Sequence, residues 1–234
     1  MSEPIAGSQP PYFCRRCPRL FGFLEECRDR LPRHFNGPVP SFGDRDAALL
    51  VVGLAPGLNG ANKTGRPFTG DAAGDLLYPA LAKFGFSNDR FDARIDDGLA
   101  LRRAMITNAV RCVPPQNKPI GAEVNTCRDF LIGQIAALPH LKVLLCLGKI
   151  AHDSVVRGLG GKVAREKFAH GSEYELGGYT VLSSYHCSRY NTNTGRLTEA
   201  MFFEVFARAR DLVEGQPSFC AAAHVRPRVL RRRR

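Results

Sequence analysis

Residues 48–74 read ALLVVGLAPGLNGANKTGRPFTGDAAG. A short apolar run, ALLVVGL (48–54), passes straight into a loop rich in glycine and ending in an acid. That is the pattern of a strand buried on both faces and followed by a loop that does something other than turn the chain. Three more runs of the same kind follow: AMITNAV (104–110), VLLCLG (143–148) and YTVLSSY (179–185). Helical patterns lie between and after them, in GDLLYPALAKFGF (74–86), CRDFLIGQIAAL (127–138), KIAHDSVVRGL (149–159) and TEAMFFEVFARARDLVEG (198–215), the last with Thr198 as its N-cap. Strands alternating with helices predict an α/β fold, a three-layer α/β/α sandwich around a central parallel sheet of four strands. No repeat or linker divides the chain, so residues 1–234 are expected to form a single domain. The first forty residues are expected to be irregular, and a basic tail occupies about 221–234.

In such sheets the ligand crevice lies outside the carboxyl ends of the strands. The opening loop, Asn108 with Cys112, and His186 all fall at those ends and are expected to meet. The loop contains neither G-x-x-x-x-G-K-[ST] nor G-x-G-x-x-G, which disfavours a nucleotide cofactor. Its GRPF (65–68) and GD (70–71) hold an aromatic ring beside an acid on glycine-flanked turns, a means to stack a flat ring and stabilise a nearby cation. The competing reading is a surface loop with Phe68 tucked into the core. A third segment, HCSRYNTNTGRLT (186–198), interleaves Arg189, Tyr190 and Arg196 with Ser, Thr, Asn and Gly, side chains suited to phosphates and bases. His140 and His152 read as solvated or internally satisfied side chains.

The formal charge of +11 in 234 residues points to a polyanionic partner. Removing the six arginines of VRPRVLRRRR (225–234) still leaves +5, so the body of the chain is basic too. No apolar run approaches the roughly 20 residues that span a bilayer, and MSEPIAGSQPPYF has no signal-peptide pattern. A cytoplasmic, membrane-free protein is the expectation. Eight cysteines without an export signal argue against a disulfide scaffold. Cys14 and Cys17 form a C-x-x-C, and Cys112 and Cys127 bracket a polar, proline-rich segment. These four suit a metal site, and their spacing leaves zinc and iron–sulfur both open. Cys27, Cys146, Cys187 and Cys220 stand singly.

Taken together, GLAPGLNGANKTGRPFTGD, ITNAVRCVPPQNKP and HCSRYNTNTGRLT, preceded by the C-x-x-C, resemble the family 5 (B-type) uracil-DNA glycosylases over nearly the whole chain. The resemblance implies the uracil-DNA glycosylase fold and a [4Fe–4S] cluster, structural in role, on Cys14, Cys17, Cys112 and Cys127. It implies excision of uracil, and of other deaminated bases such as hypoxanthine, from double- or single-stranded DNA by a monomer in a bacterial or archaeal cytosol. By motif match the catalytic acid falls on Asp71 and the histidine of the last motif on His186. Phe68 takes the stacking role, Asn108 reads the base, and Gly53 and its neighbours let the backbone approach the flipped nucleotide. Arg189 and Arg196 would meet phosphates and Tyr190 would fill the gap left by the base. Asn59 stands where many relatives carry His, and Cys187 where related glycosylases often have Pro; the second departure bears on the conformation of the DNA-gripping loop. Asp75 is the rival acid, but it reads better as the start of the following helix. No lysine stands out as a Schiff-base nucleophile, so a monofunctional glycosylase is expected. Two alternatives are a non-catalytic iron–sulfur DNA-binding protein and the family 4 glycosylases, which typically carry an acid early in the first motif where GLAPG has none.

Overall fold

Five-residue runs in which every side chain is buried form the centre of the molecule. The computed structural model describes residues 7–215. In chain order its elements are α1 (Pro18–Arg30), β1 (Phe42–Gly43), β2 (Leu49–Gly53), α2 (Ala61–Thr64), α3 (Gly74–Lys83), β3 (Ala104–Asn108), a 3-10 turn (Pro115–Asn117), α4 (Gly121–Ala136), β4 (Val143–Leu147), α5 (Lys149–Gly158), β5 (Glu173–Leu176), β6 (Tyr179–Ser184), α6 (Arg189–Asn193) and α7 (Glu199–Glu214). The strands form one sheet in the order β1-β3-β2-β4-β6-β5. The inner four, β3, β2, β4 and β6, are parallel and are the four strands read from the sequence.

The sheet is therefore larger than expected: six strands, mixed, with antiparallel β1 and β5 at its edges. Both escape a search for buried apolar runs for physical reasons. β1 is only two residues long. β5, EYEL, alternates between exposed and half-buried residues, as an edge strand does. Gly177 and Gly178 join it to β6, both at positive φ, which is the backbone of a two-residue hairpin turn.

Side chains alternate across the sheet and separate two cores. Leu49 and Val51 of β2, with Val143 and Leu145 of β4, face α3 and α7. Leu50 and Val52, with Leu144 and Cys146, face α4 and α5. These are the outer layers of the expected sandwich. Helix α7 begins where the sequence places it, with the Thr198 side chain accepting from Met201 N. His152 is a satisfied core residue, Nδ1 on Ser183 Oγ at 2.8 Å and Nε2 on Glu166 O at 2.7 Å. His140 is exposed.

Three further expectations need correction. The first forty residues are not all irregular, because α1 packs Leu20 and Leu24 into a third cluster with Val110, Val113 and Val124. Arg19 clamps it to α4 through Glu123, at 2.7 and 2.8 Å. Helix α4 itself starts six residues earlier than Cys127, at Gly121, where Glu123 reaches back to Ile120 N. The segment 186–198, read above as a polar DNA-gripping loop, contains the short helix α6, whose Ser188 cap accepts from Asn191 N. The arginine tail and Cys220 lie outside the described residues. Among the described residues, no helix is long and apolar enough to cross a membrane.

Candidate functional site

The carboxyl ends of β2, β3, β4 and β6 open on one side of the sheet, and the three singled-out segments converge there. Gly53 and Asn108 are register partners at the ends of β2 and β3. A Cβ on Gly53 would stand 2.4 Å from Asn108 Oδ1 and 2.6 Å from Phe68 Cζ, so only glycine fits between them. Phe68 holds φ +53, a backbone region that a bulky L-residue rarely adopts, and it is held there from behind. Arg66, buried beneath the turn, donates through Nε to Thr69 Oγ1 at 2.8 Å and grips Asp97 through two bonds of 2.8 and 2.6 Å. Tyr78 Oη donates to Pro67 O at 2.6 Å. The bidentate guanidinium keeps the Asp97 carboxyl well below the usual carboxylate range.

Two residues beyond this locked turn, Asp71 turns its carboxylate onto the glycine backbone of the same loop. Oδ1 accepts from Ala73 N at 3.1 Å. Oδ2 lies where a Cβ on Gly60 would be, 2.3 Å away, and 3.3 Å from one on Gly57. Burial pushes the Asp71 pKa up, against the opposing pull of the Ala73 and Gly74 amides. Opposite stands His186, just past the end of β6. Its ring lies nearly parallel to that of Phe68, with centroids 5.8 Å apart. Among the described residues Nδ1 is buried without a partner, and burial pushes the pKa down to about 4. The ring is therefore neutral at pH 7.

Asp71, His186, Arg189 and Arg196 line a single cleft of about 830 Å³. Gly53, Phe68 and Asn108 are not among its lining residues; Phe68 and Asn108 are 6% and 3% exposed and lie beneath its floor, with His186 covering the Phe68 ring. Tyr190 stands clear of the cleft, 72% exposed on α6. Asp75 is exposed in the first turn of α3, the helix-starting position expected for it. The sequence reading missed several lining residues. Lys149 and Ile150 open α5, Phe168 and Tyr185 form an aromatic wall, and Asn117 comes from the turn beyond Cys112. Arg196 lies over the Tyr185 ring at 4.6 Å. The signal available for Lys149 was its position directly after a strand end, GK at 148–149.

A second centre lies on the α1 side. Cys14, Cys17, Cys112 and Cys127 line one cavity, all as free thiols. Cys17 and Cys112 have pKa values raised first by burial and then by the neighbouring Cys127 sulfur, Cys17 to about 11. The backbone N–H of Arg111 points at Cys127 Sγ, 3.4 Å away. Among the described residues, no three His, Cys, Asp or Glu side chains are drawn tightly enough together for a single ion. The four thiols converge on one cavity, and thiolates are the ligands that zinc and iron–sulfur centres share. The buried cation Arg111, with its Nε unpartnered, also lines this cavity, and a negatively charged group fits beside it. Four soft donors, one cavity and an orphaned cation suit an iron–sulfur cluster. Cys27, Cys146 and Cys187 are buried elsewhere as free thiols.

A family model described as "Uracil DNA glycosylase superfamily" matches residues 40–210. A type-5 uracil-DNA glycosylase of Thermus thermophilus is 45% identical over 206 residues, covering 85% of this chain and 93% of that protein. A type-5 uracil-DNA glycosylase of Pyrobaculum aerophilum is 40% identical over 201 residues, covering 84% and 87%. A type-4 uracil-DNA glycosylase of the same organism is 32% identical over 162 residues, covering 67% and 73%.

Proposed function

The chain belongs to the uracil-DNA glycosylase superfamily, and from that premise we propose that it hydrolyses uracil from DNA with Asp71 and His186 as its catalytic pair. The observation that carries the assignment is their placement on one cleft, over the buried Phe68 ring. The fuller and closer match to type-5 than to type-4 relatives favours the type-5 reading.

Breaking the C1′–N1 bond leaves the bond's electron pair on the base and positive charge on the sugar. The Asp71 carboxylate opposes that positive charge and takes the proton of a water whose oxygen adds to C1′. Its raised pKa suits a base that must accept a proton in passing. His186, neutral, donates an N–H to the negative charge developing on the base O2. Unit charges about 4 Å apart interact by roughly 4 kcal/mol at an effective dielectric near 20, enough for a rate change of about a hundredfold or more. The products are the free base and an intact abasic site.

The base reaches the cleft by leaving the DNA stack. It takes the face of Phe68 that His186 covers, so His186 moves aside as the base enters. Asn108 then reads the base edge beside Gly53, where the missing side chain permits close approach. Arg189 and Arg196 contact phosphates and the exposed Tyr190 fills the vacated stack. Stacking on Phe68 is indifferent to base identity, so hypoxanthine is also accepted. Cys14, Cys17, Cys112 and Cys127 would hold a [4Fe–4S] cluster that ties α1 to α4. When bound, it supplies a structural cross-link.

The test is a labelled duplex with one uracil opposite guanine, treated with alkali after incubation. Wild type and Asp75→Asn should cut at comparable rates, and Asp71→Asn should fall by about a hundredfold or more. Equal cutting by all three would remove Asp71 from the chemistry. Cutting without alkali would overturn the monofunctional reading.

A further inference from the structure

Arg111 is among the largest fully buried side chains of the protein, 1% exposed. Among the described residues, every acceptor it has is neutral: Gln9 Oε1 at 2.9 Å and Val39 O at 3.4 Å for Nη1, and Ser8 O at 3.5 Å for Nη2. Nε has none. No described carboxylate pairs with it, whereas the other buried arginine, Arg66, is gripped by Asp97. A desolvated cation without an anion is strongly unfavourable.

Four neutral thiols give this cation nothing in return. Four thiolates around an iron–sulfur core do, because their charge outweighs that of the core and the assembly is an anion. Arg111 lines the same cavity as the four cysteines, and its own amide points at Cys127 Sγ. Arg16, the other cation lining the cavity, is 44% exposed and already paired with Asp129 at 2.5 Å. We infer that Arg111 is the internal counter-cation of an anionic metal–thiolate centre on Cys14, Cys17, Cys112 and Cys127. This role rests on the cluster reading above. It favours the loaded over the empty protein, and it raises the reduction potential, since an added electron is stabilised by nearby positive charge.

Three variants of the anaerobically prepared holoprotein separate charge from packing. Arg111→Met removes the charge at similar bulk and Arg111→Lys keeps it. Gln9→Glu leaves Arg111 in place but gives it a carboxylate, and Gln134, which accepts from Gln9 Nε2 at 2.7 Å, can turn its amide to donate instead. Iron and sulfide per chain, the midpoint potential at an electrode, loss of the visible cluster absorbance under chelator, and the melting temperature of the apo form would be measured. Arg111→Met and Gln9→Glu should lower the potential and speed cluster loss about tenfold or more, while Arg111→Lys stays near wild type. Gln9→Glu should also stabilise the apo protein, the opposite of its effect on the loaded one. If wild type holds no iron and sulfide, the cluster reading fails and this proposal with it. If wild type is loaded but Arg111→Met and Gln9→Glu match its potential and retention, only the counter-cation role is overturned. If Arg111→Lys loses its cluster as fast as Arg111→Met, the guanidinium hydrogen bonds matter rather than the charge, and the proposal is again wrong.

Discussion

Gly60 sets the position of Asp71 more tightly than any side chain does, because a Cβ there would stand 2.3 Å from the carboxylate oxygen. Gly60→Ala should therefore push the acid aside and lower kcat/KM by about a hundredfold, the effect of roughly an ångström of misplacement, with the alkali-cut duplex as readout. An unchanged rate would mean the carboxylate works from another rotamer. His186 and Asp71 differ in their response to pH. His186 has its pKa pushed down to about 4, so it stays neutral across the working range and should add no acid limb near pH 6.5. Asp71, pushed up, should supply the acid limb of kcat/KM, above the ordinary Asp value of about 3.9. A limb near pH 6.5 that disappears in His186→Asn would contradict this. At this scale the sequence was informative about types and places: an acid, an aromatic and a histidine at strand ends. It said nothing of Arg111, because a buried arginine looks like any other in a basic chain.

Among the elements, the turn carrying Phe68 and Asp71 depends on a segment far away in the chain. Asp97 lies in the irregular stretch before β3, and it grips Arg66, which braces the turn where Phe68 holds positive φ. Asp97→Ala leaves a buried guanidinium without an anion and should cost about 3–5 kcal/mol of unfolding free energy, measured in urea. The Asp97 pKa is lowered on folding, so its stabilisation is present above the unfolded value of about 3.9 and is lost as pH falls through the folded value. Acid unfolding of wild type should therefore lose a component below about pH 4 that Asp97→Asn lacks. Strands β2, β3 and β4 were legible because burial on both faces writes itself as runs of apolar residues, and β6 through its shorter buried run of Val181 and Leu182. Strand β5 was not, yet its Gly-Gly turn was in plain view and is a known hairpin signal. Helix α1 was missed because only Leu20, Leu24 and Cys27 are buried in a run otherwise full of charge.

For the molecule as a whole, the parallel centre and the convergence of strand ends could be argued from one sequence, and the mixed edges could not. What joins distant segments was also out of reach: Arg19 to Glu123 between α1 and α4, and Arg208 to Glu173 between α7 and β5. Pairs of this kind leave no periodicity. The charge of +11 was legible and has a direct test. Binding to undamaged duplex should weaken steeply with salt, and truncation after Gly215, which removes six arginines, should flatten the slope of log K against log salt by about 0.9 for each lost phosphate contact. An unaltered slope would place all the contacts on the body. The stacking of His186 on Phe68 has one more consequence. A third ring between them needs roughly 7 Å, twice a van der Waals contact, and the centroids are 5.8 Å apart. At rest the protein fills its own aromatic slot, so the released base should be a feeble competitor, and turnover should escape product inhibition even where the excised base accumulates.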